Sequence, residues 1–363
     1  MNPLTNININ SVVELPPPRE IQREIPVPSK VQHQVLRFRG SIEDLLDGRE
    51  ARLLMVVGPC SIHDPKAGLE YARRLADLAQ ELEDEILVVM RVYFEKPRTQ
   101  MGWKGLINDP FMDDSFRVDQ GLRLARRFLL DVALLGLPAG TEALDPLTPQ
   151  YIGDLISWTA IGARTTESQT HREMASGIST PVGFKNSTDG SIEAAINAIH
   201  SAQRPHHFLG VTDEGRQAVF STAGNPYPHI VLRGGSEPNY SSRHIQQVEK
   251  QLGDAKLPVR IVVDCSHGNS EKDPRRQADV LHDCLSQIEN GNKSIVGFMM
   301  ESHLHWGNQA IRREIEKMEY GVSITDPCMD WETTESLLRE AHDRFGRAKH
   351  SGTRGERHGR ESL

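Results

Sequence analysis

Between about residues 50 and 340 the chain repeats one layout: a short apolar run closes on a single polar or charged residue, and helical spacing follows. The runs are too short for helices and rich in β-branched residues, so they read as strands buried on both faces. Leu53–Val57 precedes Gly-Pro-Cys-Ser-Ile-His at 58–63, Ile86–Met90 ends at Arg91, a short segment ends at Glu142, and Ala160–Ala163 leads to Arg164. Pro181–Phe184 leads to Lys185, His229–Leu232 to Arg233, Arg260–Val263 to Asp264-Cys265-Ser266-His267, and Ile295–Met300 to Glu301. Helical spacing at Lys66–Glu83, Gly121–Leu135 and Ser191–Ala202 separates several of them. Strands alternating with helices argue a parallel sheet, and eight such strands predict a closed (β/α)8 TIM barrel with its chemistry at the carboxyl ends of the strands. The strand tips are then Cys60, Arg91, Glu142, Arg164, Lys185, Arg233, His267 and Glu301.

Other segments fall outside this count. Phe208-Leu209-Gly210-Val211 and Ala218-Val219-Phe220-Ser221, joined through Asp213-Glu214-Gly215, predict a β-hairpin inserted at about 206–224, before the sixth barrel strand. An insertion outside the barrel is a candidate for regulation or assembly. Residues 1–45 are expected to be an N-terminal arm: Pro16 to Pro18 are consecutive, Pro26 and Pro28 follow, and 1–30 show little helical periodicity. Such an arm gains order by packing on the core or on another subunit. The barrel is expected over 46–345, and the Gly-, Arg- and His-rich stretch 346–363 to be disordered.

A net charge of −8 argues against a general nucleic-acid or membrane binder, and no apolar run approaches the roughly 20 residues that span a bilayer. Cys60, Cys265, Cys284 and Cys328 are scattered and the N-terminus lacks signal-peptide character, so a reduced, cytoplasmic protein is expected. Local cations must therefore serve small anions. Arg91, Lys96, Arg98 and Lys104 fall on one strand tip and the loop beyond it, where Pro97 opposes helix. Four tip cations, Arg91, Arg164, Lys185 and Arg233, would repel by several kcal/mol if brought together, and so call for a ligand with more than one negative charge. Cys60, His267, Glu301 and a further carboxylate, for which Asp326 is the candidate, make a mixed donor set suited to several divalent transition metals. Taken singly, Cys60 also fits a small core residue and His267 a hydrogen-bonded loop residue.

Gly-Pro-Cys-Ser-Ile-His (58–63), Arg-Val-Tyr-Phe-Glu-Lys-Pro-Arg-Thr (91–99), Gly-Trp-Lys-Gly (102–105), Ile-Gly-Ala-Arg-Thr-Thr-Glu-Ser-Gln (161–169), His-Arg-Glu-Met-Ala-Ser-Gly (171–177), Gly-Phe-Lys-Asn (183–186), Leu-Arg-Gly-Gly (232–235), Asp-Cys-Ser-His-Gly-Asn (264–269) and Glu-Ser-His-Leu (301–304) occur in this order. Over about residues 35–340 the chain thereby closely resembles the type I 3-deoxy-D-arabino-heptulosonate 7-phosphate (DAHP) synthases. The resemblance implies condensation of phosphoenolpyruvate with erythrose 4-phosphate and water, releasing phosphate, at the entry to the shikimate pathway. It implies that Arg164 and Arg233 hold the phosphoenolpyruvate phosphate and Arg91 and Lys185 its carboxylate. It further implies that Lys96 lies at the reacting centre as a proton donor, Arg98 and Thr99 bind the erythrose 4-phosphate phosphate, and Glu142 positions water or phosphate. Cys60, His267, Glu301 and Asp326 match the metal ligands, with Mn, Fe, Co or Zn all open.

Feedback inhibition by an aromatic amino acid is also implied, at a site near the hairpin that includes Pro149, Gln150, Ile178, Ser179, Phe208 and Gly210. Gly210 resembles the tyrosine-sensitive group, its missing side chain leaving room for a phenolic hydroxyl. A homodimer or homotetramer is expected by the same resemblance. Ser187, in place of a usual glycine, and Trp306, where an acid is common, depart from the pattern without touching a carried-over ligand. The rival readings are a sister synthase using another sugar phosphate such as arabinose 5-phosphate, and a non-catalytic barrel sensing aromatic amino acids.

Overall fold

The computed structural model describes residues 4–98, 102–312 and 314–358, with side chains described to residue 349. The barrel strands are β1 (Leu53–Gly58), β2 (Ile86–Arg91), β3 (Ala139–Glu142), β4 (Ile156–Ile161), β5 (Val182–Lys185), β8 (Pro228–Leu232), β9 (Ile261–Asp264) and β10 (Ile295–Glu301). They close in the order β1-β10-β9-β8-β5-β4-β3-β2, every pairing parallel. The intervening β6 (His207–Val211) and β7 (Gln217–Ser221) form the expected antiparallel hairpin, with Phe208 opposite Phe220 and Gly210 opposite Ala218.

The alternation of a strand decides which side chains meet inside. Along β2, Leu87 and Val89 join Leu54, Val56, Trp158, Ala160, Val231, Val262 and Met299 in one buried layer, while Ile86, Val88 and Met90 pack outward with the helix residues. Each fully buried aliphatic side chain contributes about 1.5–3 kcal/mol relative to exposure, so this inside–outside division fixes the register of every strand. Trp158 fills the barrel centre because its flanking strands offer glycines: a Cβ at Gly183 would lie 2.6 Å from Trp158 Cζ2, and one at Gly140 3.2 Å from Cε3. Its indole nitrogen donates to His229 Nε2 at 3.1 Å. Burial pushes His229 down to about 4, so the ring is neutral and can accept.

Helices α3 (Pro65–Glu81), α4 (Val118–Leu134), α6 (Gln169–Gly177), α7 (Glu193–Ala202), α8 (Ser242–Asp254) and α9 (Gln277–Glu289) cover the outside, with a short α5 (Thr148–Ile152) after β3. The start of α3 is set locally. Pro65 occupies the first turn, where no N–H partner exists to lose, and Asp64 caps it by accepting from Lys66 N at 2.8 Å. Strand β4 begins and ends earlier than its apolar run predicts, because Thr165 N and Thr166 N turn back onto Gly162 O and leave Arg164 beyond the strand.

The arm packs on the barrel as expected, though through helices, and the C-terminal stretch is helical as well. The arm is helical: α1 (Pro18–Glu24) starts on a proline, and α2 (Ser29–Leu46) buries Val31, Val35, Ile42, Leu45 and Leu46. Ile42, Leu45 and Leu46 join the inner layer, so α2 caps one end of the barrel core. The prolines delimit these helices rather than excluding them. At the other end α10 (Trp331–His358) continues through 346–358, where composition predicts disorder. Ion pairs from Arg344 to Glu289 and from Lys349 to Glu85 hold that helix as it leaves the barrel, and 359–363 lie outside the described residues. No helix among the described residues is long and apolar enough to cross a membrane, and the four cysteines are buried and unpaired.

Candidate active site and metal centre

Continuing each strand's inward positions past its end, in steps of two, reaches the polar residues of the mouth. Leu54 and Val56 lead to Cys60, Leu87 and Val89 to Arg91 and Tyr93, and Val231 to Arg233, whereas Arg164 lies in the turn that follows β4. Val262 leads in the same way to Asp264 and Met299 to Glu301, while Glu142 and Lys185 end β3 and β5. His267 does not share this phase. It arrives by the loop after β9, in a left-handed backbone conformation (φ 57°) that lets its ring return toward the axis.

The predicted metal ligands come together. Cys60 Sγ and carboxylate oxygens of Glu301 and Asp326 all lie within 4.8 Å of one another. His267 Nε2 stands 3.7 Å from Glu301 Oε1, while its Nδ1 faces Ser266 Oγ at 2.7 Å and Asp264 Oδ2 at 3.0 Å. A carboxylate behind the distal ring nitrogen is the arrangement that orients a metal-binding imidazole. Glu301 and Cys60 are buried and Asp326 is exposed. Burial raises the Asp326 carboxyl, but Lys96, His267, Lys272 and Arg98 outweigh it and keep it below its ordinary range, ready to ligate. A soft thiolate with an imidazole and carboxylate oxygens fits a borderline divalent ion.

Lys96 reaches into this cluster, its Nζ 3.1 Å from Cys60 Sγ and 2.9 Å from Cys60 O. Burial works against its charge, yet Cys60, Glu301 and Glu142 more than offset that, raising it above its ordinary value. Lys96 is therefore an ammonium at neutral pH. Two of the four tip cations carry protein carboxylates: Arg91 Nη2 lies 2.9 Å from Glu301 Oε1, and Lys185 Nζ 2.8 Å from Asp264 Oδ2. The expectation that all four wait on an external anion holds less well for this pair. Burial lowers Arg233, Asp264 opposes that, and the charge of Arg164 adds to it. Arg98 donates to Trp103 O at 2.9 Å and is close enough to Asp326 to depress it. Thr99 lies outside the described residues.

Asp264 received no role from the sequence, although it ends an apolar strand in the inward phase. Burial pushes its carboxyl up, but Lys185, His267 and Arg91 prevail and hold it well below the carboxylate range. It thus ties the Lys185 cation to the orientation of His267.

A second cavity of about 650 Å³ opens on the barrel flank beneath the hairpin. Pro149, Gln150, Ile178, Ser179 and Phe208 line it, as expected, and Glu142 forms part of its wall. The Phe208 and Phe220 rings stack over it with centroids 5.9 Å apart. Gly210 is not among the lining residues. A Cβ there would meet Phe220 Cδ2 at 2.7 Å, so this glycine makes room for a ring of the hairpin itself rather than directly for a ligand. The arm braces the same region: Gln22 donates to Gln150 O at 3.0 Å, and Arg19 N to Asp213 O at 2.9 Å.

The closed parallel barrel thus carries a thiol–carboxylate–imidazole cluster of metal-ligand type beside a cationic mouth suited to small anions, the layout of a (β/α)8 enzyme. Residues 25–339 match the DAHP synthetase I family, and the chain belongs to it. It is 55% identical over 339 residues to the Tyr-sensitive phospho-2-dehydro-3-deoxyheptonate aldolase of Escherichia coli, covering 93% of this chain and 95% of that one. The Phe-sensitive protein of the same organism is 53% identical over 335 residues, covering 92% and 95% respectively. The solved structure of the Francisella tularensis phospho-2-dehydro-3-deoxyheptonate aldolase superposes with a TM-score of 0.91 at 46% identity, over 93% of this chain and 99% of that one.

Proposed function

We propose that this chain is a DAHP synthase, joining phosphoenolpyruvate to erythrose 4-phosphate with addition of water and release of phosphate. The observation that carries this reading is the meeting of Cys60, Glu301 and Asp326 within 4.8 Å at a cationic barrel mouth, with Lys96 Nζ 3.1 Å from the thiol. Arg164 and Arg233 take the phosphoenolpyruvate phosphate, and Arg91 and Lys185 its carboxylate. Arg98 and Thr99 take the second substrate's phosphate, and Glu142 orients water or phosphate. Held this way, two anionic reactants pay their positional entropy on binding rather than in the reaction step. Cys60, His267, Glu301 and Asp326 would hold a divalent ion (Mn, Fe, Co or Zn), which when bound supplies Lewis acidity to the aldehyde oxygen. Lys96 Nζ carries the proton for the hydroxyl that forms from that oxygen as the methylene carbon of phosphoenolpyruvate attacks. The enol carbon, left electron-poor, accepts water and then expels phosphate.

The flank cavity takes an aromatic amino acid as feedback inhibitor, and tyrosine is favoured. Support comes from the stacked Phe208 and Phe220 and from the name of a Tyr-sensitive relative. The test is phosphoenolpyruvate consumption with erythrose 4-phosphate, with and without chelator, repeated with tyrosine, phenylalanine and tryptophan. Consumption that stops with chelator and returns with metal is expected, with tyrosine the strongest inhibitor. No consumption by folded, metal-loaded protein would refute the reaction, and turnover with arabinose 5-phosphate instead would transfer the chain to the sister synthases.

A further inference from the structure

Tyr93 is two residues beyond Arg91 on the same inward phase of the second strand, and it is 1% exposed. Its ring lies beneath both cations of that segment: Arg91 Cζ is 4.1 Å from the centroid and Lys96 Nζ 5.8 Å. Its carbonyl accepts from Ile62 N at 2.9 Å, which ties the loop carrying Cys60 to the same residue. Among the described residues its hydroxyl has no hydrogen-bond partner, and neither has Arg91 Nη1. Buried phenols ordinarily find one.

We infer that Tyr93 is a positioning residue: its ring face fixes the spacing between the Arg91 guanidinium, which takes the phosphoenolpyruvate carboxylate, and the Lys96 ammonium, which carries the proton. This rests on the proposed DAHP synthase reading. Both cations lie within the roughly 6 Å over which a ring face attracts positive charge, and the attraction strengthens where water is excluded. Cysteine, clamp and proton donor then move as one body.

The experiment compares the full-length, metal-loaded wild type with Tyr93→Phe and Tyr93→Leu. Leucine removes the ring, and KM for phosphoenolpyruvate is expected to rise about tenfold with a comparable fall in kcat, the scale of a desolvated cation–ring contact. Phenylalanine keeps the ring and should recover most of both losses. Metal content and melting temperature are followed in parallel, and the Phe variant, which preserves packing, keeps the comparison readable if the Leu variant is unstable. A Leu variant with wild-type KM and kcat, or a Phe variant as impaired as the Leu variant, would overturn the inference. Wild-type protein that turns nothing over would instead remove the reaction on which it rests.

Discussion

Glu95 offers a test whose sign follows from its burial. It directly precedes Lys96 and is 4% exposed, with Asp145 N 3.5 Å from its Oε2. Burial, and next the Asp145 charge, push its carboxyl up from 4.5 to about 8. The folded protein therefore keeps a proton on Glu95 across a range in which the unfolded chain has lost it. Stability from this group is fully present below about pH 4.5, declines as pH rises, and is gone above about pH 8. At about 1.4 kcal/mol per pH unit, this interval corresponds to about 5 kcal/mol. Glu95→Gln keeps the shape and cannot ionise, so it removes that slope. Denaturant midpoints at pH 5, 7 and 9 and constant ionic strength should show variant and wild type close at pH 5, with the variant ahead by several kcal/mol at pH 9. Parallel pH curves, or a variant weaker at pH 9, would mean that Glu95 loses its proton in the folded protein at the ordinary carboxylate pH and that the assigned burial effect is wrong.

Other expectations follow from the same geometry. Lys96→Met should retain metal and lose turnover; full activity would remove Lys96 from the mechanism. Cys60→Ala should lose metal on dialysis, and unchanged metal content would count against the thiol as a ligand. Asp264→Asn leaves Lys185 buried without its carboxylate and loosens His267, so a loss of about 3–5 kcal/mol in unfolding free energy is expected; a loss below 1 kcal/mol would show that Lys185 is compensated elsewhere. Gly210→Ser forces the Phe220 ring to shift and should weaken inhibition by tyrosine with kcat preserved, whereas an unaltered inhibition curve would detach the hairpin from the effector site.

The barrel was legible because strands buried on both faces leave short continuous apolar runs, each closing on a polar residue and alternating with helical spacing. The same phase that buries Leu87 and Val89 presents Arg91, and the phase that buries Met299 presents Glu301. Pairing between tips was not legible, since Arg91 and Glu301 are 210 residues apart and Lys185 and Asp264 are 79 apart. Asp264 was passed over because a carboxylate ending a strand has many ordinary uses, and only the folded chain brings Lys185 and His267 to it. The arm packs on the core as expected, but its helices were not legible, for a different reason. Its prolines dominate the local pattern, whereas α2 is marked by Val31, Val35, Ile42 and Leu45, whose helical face matters only once a barrel end exists for it to cover. Gly210 illustrates the limit of reading one strand alone, because the atom that needs its space belongs to Phe220 across the hairpin.

Charge distribution at the mouth bears on how one substrate is oriented. Arg91 and Lys185 already face Glu301 and Asp264, so that end of the mouth retains a modest pull on anions. Arg164 and Arg233 press on each other, and a ligand that neutralises both relieves a repulsion as well as gaining an attraction. On the proposed substrate assignment the phosphate, near two negative charges at neutral pH, goes to Arg164 and Arg233, while the singly charged carboxylate goes to Arg91 and Lys185. On that assignment the carboxylates of Glu301 and Asp264 leave Arg91 and Lys185 a weaker pull than they would exert alone, which suits a singly charged carboxylate better than a phosphate.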